Sequence, residues 1–301
     1  MTKSLRLAIA LVLVTVSVAR AQDTARMEQV IQSHVSAGTF MGTVLVARDG
    51  AVVLDKAYGM ANLELEVPNT PATKFRLGSI TKQFTAASIL LLEERGKLKI
   101  DDKVKTYLPD APMAWDRITV FNLLTHTSGI PNFTSLADYS TIKLSARTAE
   151  SSVVAVHDKT LDFGPGEKMS YSNSGYLVLG AIIEKVSGQS YEKFVADNIF
   201  TPLGMNDSGY DSNTAIIKRR ASGYIKTPTG YVNAGYIHMS IPHAAGALYS
   251  TTGDLLKWEQ ALFGGKVVSK ASLDRMITPF KNDYALGLTS TIPPVRPRAG
   301  Q

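Results

Sequence analysis

The stretch from Phe75 to Gly96, FRLGSITKQFTAASILLLEERG, constrains this chain more than any other. Its pattern predicts a short extended lead-in, a glycine, and then a helix of about four turns. Ile80, Phe84, Ala87, Leu91 and their neighbours leave that helix apolar on most sides, as in a helix enclosed between layers. Ser79 and Lys82 stand three residues apart at its mouth, which puts both side chains on one face. A lysine in the first buried turn of such a helix is costly unless it is paired or used.

An enclosed helix needs layers around it. Residues 23–36 suggest a helix. Phe40–Val46 and Ala51–Tyr58 are β-rich runs joined through Asp49-Gly50, a hairpin signal. Together these predict an α/β (α+β) fold, an antiparallel sheet flanked by helices. From about residue 100 to 245 the texture is mostly helical. Thr119 is set to cap a short helix, small helices fill 135–160, and an amphipathic helix over Tyr176–Val186 stops at Gly188. Ser190 starts a further helix. Near Ala244–Ser250 the sheet resumes, Thr251 or Thr252 and then Ser269 cap two helices, and Tyr284–Ser290 reads as the start of a strand. The expected organisation is a discontinuous sheet domain, 22–99 with 246–301, and a mostly helical domain, 100–245.

The first residues, MTKSLR followed by an apolar run to Ala19 and Ala19-Arg20-Ala21, predict a signal peptide over 1–21, with Gln22 opening the mature chain. An uncleaved anchor is the alternative. Cleavage implies a periplasmic or secreted protein with no stable membrane span. The net charge of +6 overstates the mature surface, because Lys3, Arg6 and Arg20 belong to the leader. No basic block appears, so nucleic acid is not implied as a partner. Cysteine is absent. That excludes a disulfide framework, a cysteine nucleophile and thiolate metal ligands.

Ser79 and Lys82 suit acyl transfer. A serine hydroxyl needs a base to take its proton, and an amine serves when desolvation lowers its pKa. A capping serine with a snorkelling lysine is the structural alternative. Tyr171-Ser172-Asn173 follows a Pro-Gly turn just ahead of a helix. There Tyr171 could share the base role if its pKa is depressed, and Asn173 could hold the lysine or a substrate carbonyl. Alternatively Asn173 or Ser174 caps the helix and Tyr171 packs at its mouth. His126, within LLTHTSGIP, reads as a hydrogen-bonding residue at a helix end; a Ser79–His126 dyad is the sharper alternative. The other histidines have no metal-ligand spacing with it, and no cofactor motif occurs.

In their order, Ser79-Ile80-Thr81-Lys82, Leu123–Pro131, Tyr171-Ser172-Asn173 and Gly246–Thr251 give a pattern that resembles the class C β-lactamase-related serine hydrolases. This family includes D-alanyl-D-alanine carboxypeptidases, D-aminopeptidases and esterases. The likeness runs from about Met27 to Leu288. It implies Ser79 as acylated nucleophile, Lys82 and Tyr171 as the proton-transfer pair, Asn173 as a substrate-binding residue, and the Ser79 amide as half of an oxyanion hole. It implies a small-molecule or peptide substrate and neither metal nor cofactor. The family's third motif, a Lys- or His-x-Gly triplet on a later strand, has no match after Leu288. The resemblance therefore implies a member shortened at its C-terminus, without the second oxyanion amide. A penicillin-binding or sensor-like protein that acylates without turnover, and an inactive truncated homologue, are the alternatives.

Overall fold

The computed structural model describes residues 23–291, so the expected signal peptide lies outside the described residues. The described chain divides into two units, 23–73 with 219–223, and 74–218 with 224–291.

In the first unit, helix α1 (23–36) precedes strands β1 (Gly42–Arg48) and β2 (Ala51–Tyr58). The strands pair antiparallel from Gly42–Tyr58 to Arg48–Ala51, with a bulge at Val46/Ala47. Asp49 and Gly50 both take positive φ, 52° and 78°, the backbone a two-residue hairpin turn requires. Strands β3 (Met60–Asn62) and β4 (Val67–Pro68) form a second antiparallel pair. Two exposed ion pairs, Arg48–Asp23 and Lys56–Glu28, link α1 to the hairpin. Such pairs are each worth about 0–1 kcal/mol.

The second unit begins with β5 (Phe75–Arg76), then a 3-10 turn, Gly78–Ile80, and helix α2 (Thr81–Glu94). As its sequence required, α2 is enclosed: Phe84, Ala86, Ala87, Ile89 and Leu90 have no exposed surface. Burial of each large apolar side chain contributes about 1.5–3 kcal/mol. Thr119 caps α3 (Val120–Leu124) through a reciprocal box with Asn122. Short helices α4 (Tyr139–Ile142) and α5 (Ala149–Val154) cover the 135–160 region. Helix α6 (Asn173–Ser187) ends at left-handed Gly188, and α7 (Tyr191–Val195) is capped by Ser190. Strands β6 (Gly209–Tyr210), β7 (Tyr224–Thr227) and β8 (Gly230–Asn233) follow, with β7 and β8 forming a hairpin. A single helical turn, α8 (His243–Gly246), leads into β9 (Leu248–Ser250), which pairs antiparallel with β5 and β6 on either side. Thr251 caps α9 (Thr252–Phe263) and Ser269 caps α10 (Lys270–Ile277).

The fold is thus mixed α/β, with antiparallel sheets flanked by helices. Around α2 lie α6, α7, α8 and α10, and Trp258 of α9 packs on Phe84 with ring centres 4.3 Å apart. One expectation is corrected. Tyr284–Ser290 is a folded-back turn, with Asn282, Asp283 and Gly287 all at positive φ and Tyr284 bridged to Thr289. Consecutive left-handed residues bend the chain before an extended run can form. Among the described residues, no helix is long and apolar enough to cross a membrane.

Candidate active site

Ser79 sits in the 3-10 turn that feeds α2. Gly78 before it takes a φ of 53° with open space where a Cβ would stand, so its glycine serves backbone conformation rather than clearance. One turn further, Lys82 is 1% exposed. Its Nζ lies 3.2 Å from Ser79 Oγ, 2.9 Å from Asn173 Oδ1 and 2.8 Å from the Ala245 carbonyl oxygen. It also lies 4.8 Å from the centre of the Tyr171 ring. Burial lowers its pKa to about 7, because the charged form loses water that the enclosure does not replace.

Tyr171 stands on the loop before α6 and donates its hydroxyl hydrogen to Ser79 Oγ at 2.7 Å. Burial raises its pKa, and the hydrogen bond with Ser79 pulls the other way. The phenol is therefore held neutral rather than depressed, contrary to the condition under which it would share the base role.

Neither Asn173 nor Ser174 caps α6. Ser172 occupies the cap position without a side-chain cap bond. Ser174 Oγ donates to the Pro131 carbonyl and accepts from the Phe133 amide. Asn173 donates from its backbone N and its Nδ2 to Asn132 Oδ1, at 3.1 and 3.3 Å. That pairing fixes the amide orientation and leaves Asn173 Oδ1 facing Lys82.

All four residues singled out in the sequence, Ser79, Lys82, Tyr171 and Asn173, thus converge. Three further contributors were missed. Ala245 acts through a carbonyl, which leaves no side-chain signature. Asn132 directly follows the LLTHTSGIP stretch but falls outside it. Tyr284 lies in a segment whose sequence predicts a strand. His126 is at the end of α3, 1% exposed, with φ of 56°. Its Nδ1 accepts from the Ser172 amide at 3.2 Å and its Nε2 lies 3.0 Å from the Tyr284 hydroxyl. With both nitrogens occupied, it is not placed as the base of a dyad with Ser79. Burial first, and the nearby Lys82 second, hold its pKa down to about 3.

Beside Ser79 opens a cavity of about 260 Å³, walled by apolar side chains including Phe133, Tyr139, Ile237, Met239 and Pro242, with Arg76 among its lining residues. Arg76 Nε donates to the buried Asp211 carboxylate at 2.5 Å. A larger cavity, about 370 Å³ and lined in part by Leu108, Val153, His157 and Glu184, contains none of the four converging side chains. Among the described residues there is no group of three or more histidine and carboxylate side chains that could hold a metal.

The family model described as Beta-lactamase matches residues 27–291. Among curated proteins, the chain is 35% identical over 269 residues to the putative penicillin-binding protein PbpX of Bacillus subtilis (strain 168), covering 88% of this chain and 66% of that protein. Penicillin-binding protein 4* of the same organism is 32% identical over 262 residues, covering 80% of this chain and 56% of its own length. The chain therefore spans about two thirds or less of these relatives. Among solved structures, the penicillin-binding protein from Bacillus halodurans superposes with a TM-score of 0.75 at 28% identity, over 85% of this chain and 82% of the other. A D-amino acid amidase from Ochrobactrum anthropi SV3, in complex with L-phenylalanine amide, gives 0.74 at 28% identity, over 85% and 77%.

Proposed function

Because the chain belongs to the family described as Beta-lactamase, we propose that it is a serine hydrolase working through an acyl-enzyme on an amide, β-lactam or ester bond. One observation carries the assignment of roles. A neutral amine has two N–H groups and one lone pair. Of the three atoms around Lys82 Nζ, the Asn173 Oδ1 and Ala245 carbonyl oxygens can only accept. They occupy the two N–H groups and turn the lone pair to Ser79 Oγ, the one neighbour with a hydrogen to give.

The chemistry follows from that placement. Lys82 takes the Ser79 proton as Oγ forms a bond to the substrate carbonyl carbon. The negative charge passes to the carbonyl oxygen, where the Ser79 amide at the positive end of the helix stabilises it. When the tetrahedral species collapses, the bond to the leaving group breaks and that group receives the proton, with the Tyr171 phenol relaying it from Lys82. Water then attacks the acyl carbon as it gives a proton to Lys82; the bond from that carbon to Ser79 Oγ breaks, Oγ takes the proton back, and the carboxylic acid leaves. Asn173 holds Lys82 and presents its amide to the substrate. Names among the relatives support the substrate class: penicillin contains a β-lactam amide, and the amidase is crystallised with an amino acid amide.

Two organisational readings belong to the same proposal. The proposed division sets 22–99 with 246–301 apart, as a sheet domain, from a mostly helical 100–245; among the described residues α3 to α7 fall in the latter, together with the short strands β6, β7 and β8. The protein acts outside the cytoplasm after loss of residues 1–21.

Mixing the purified protein with a chromogenic β-lactam and with a p-nitrophenyl ester tests the reading. Turnover is expected, with a covalent acyl group on Ser79 seen by intact mass, and both vanish in Ser79→Ala. An adduct without turnover assigns the chain to penicillin binding or sensing instead. Turnover that survives Ser79→Ala overturns the mechanism.

A further inference from the structure

We propose that His126 is the positioning residue for Tyr171, holding its backbone on both sides and backing its ring so that the phenol stays on Ser79. The inference rests on the acyl-transfer reading above. Ser170, before Tyr171, donates its amide to the His126 carbonyl at 2.9 Å. Ser172, after it, donates its amide to His126 Nδ1 at 3.2 Å. One residue thus receives the amides on either side of the phenol. The imidazole also lies against the Tyr171 ring, with centres 4.3 Å apart and planes tilted by 41°.

The residue type follows from these contacts. A leucine or phenylalanine would fill the buried space but leave the Ser172 amide without its acceptor. Nδ1 accepts from an amide, which assigns the ring proton to Nε2, where the Tyr284 hydroxyl receives it at 3.0 Å. Tyr284 thereby fixes the tautomer and the ring plane from behind. His126 holds a left-handed backbone, φ 56°, which is uncommon for a residue with a Cβ. That conformation is retained at the one position whose carbonyl and ring must both reach the 170–172 segment. Burial keeps the imidazole neutral above a pKa of about 3, so Nδ1 remains an acceptor at ordinary pH.

The test compares His126→Leu, His126→Asn, His126→Gln and Tyr171→Phe by steady-state kinetics. Asparagine puts an acceptor where Nδ1 was and tolerates the left-handed backbone; glutamine carries its acceptor one carbon further. His126→Leu and His126→Gln are expected to lower kcat about 100-fold, with KM within about threefold of the parent. His126→Asn should stay within about tenfold of the parent kcat, a rescue that space-filling alone does not give. Combining His126→Gln with Tyr171→Phe should be no slower than Tyr171→Phe alone, because the two act on one proton path. If His126→Leu does not fold, the Asn and Gln variants and the double variant carry the same comparison. Equal rates for Asn and Gln, near-parental rates for all His126 variants, or additive losses would overturn the inference. An active Tyr171→Phe would overturn it together with the role given to the phenol. A slow Tyr171→Phe beside fast His126 variants would overturn it alone.

Discussion

At the residue scale, the proposed acyl transfer depends on which protons Lys82 carries. With a pKa of about 7 set by burial, it is protonated below neutrality, and the lone pair aimed at Ser79 is lost. The expected kcat/KM profile therefore falls about tenfold per pH unit below about pH 7 and levels above it. Lys82→Arg, always charged, should lower kcat by about 10²–10⁴ at every pH. The same shift has a sign for stability. The folded pKa of about 7 lies below the ordinary 10.5, so between those values the unfolded chain binds more protons. Lys82's contribution to folding therefore improves as pH rises across that window. Asn132 provides a second handle. Asn132→Asp keeps the acceptor for Asn173 and adds a negative charge near the ammonium, which should move the acid limb of the profile upward. Asn132→Leu frees the Asn173 amide to turn and should slow kcat about tenfold without that displacement.

At the element scale, close approaches at two glycines keep the site in register. Gly180 lies mid-way along α6, where glycine costs about 1 kcal/mol relative to alanine. A Cβ there would stand 2.7 Å from Ala244 Cβ and 2.8 Å from the His243 ring, so α8 packs directly on the bare helix. Since α8 brings the Ala245 carbonyl to Lys82, Gly180→Ala should lower both the melting temperature and kcat, measured together on one preparation. Gly287 is the sharper case. At φ 79°, a Cβ would meet the Lys82 carbonyl oxygen at 2.5 Å, and Gly287→Ala should destabilise by about 2–4 kcal/mol in urea unfolding. Neither approach is legible in the sequence, where both glycines look like ordinary helix and strand residues. What is legible is local: the enclosed α2 through its apolar run, the hairpin through Asp49-Gly50, and the caps at Thr119, Ser190, Thr251 and Ser269. The Ser79–Lys82 pair shows through one turn of helical spacing. Its partner across the site, Tyr171-x-Asn173, shows only as a loop motif, because the pairing is long-range and a carbonyl or an aromatic backing leaves no spacing to read. Tyr284 lies in a segment whose sequence reads as the start of a strand, while the positive φ at Asn282 and Asp283 makes it a bend.

At the scale of the whole molecule, two buried histidines contribute to its behaviour in acid. Burial lowers His243 to about 4, and burial with the neighbouring Lys82 lowers His126 to about 3, from 6.5 in both cases. Above pH 6.5 neither is charged in either state. Below it the unfolded chain takes up protons that the folded chain refuses, so stability is lost as pH falls through this window. Each contributes a slope of up to about 1.4 kcal/mol per pH unit. Glu184, 3.7 Å from His243 Nε2, is itself raised by burial and is neutralised as the pH drops, which weakens any rescue. Urea titrations between about pH 7 and about pH 4.5 should show this slope, and His243→Asn should remove one share of it. The turn carrying Tyr284 and Gly287 also has a meaning in time. Synthesis delivers Ser79, Lys82, Tyr171 and Asn173 well before it delivers that turn. At about 5–20 residues per second, the growing polypeptide waits roughly 5–20 s with these four side chains already made and Tyr284 and Gly287 still unwritten. The Tyr284 hydroxyl on His126 and the Gly287 contact with Lys82 form only after those four side chains exist, so the proposed site is braced later than it is spelled out.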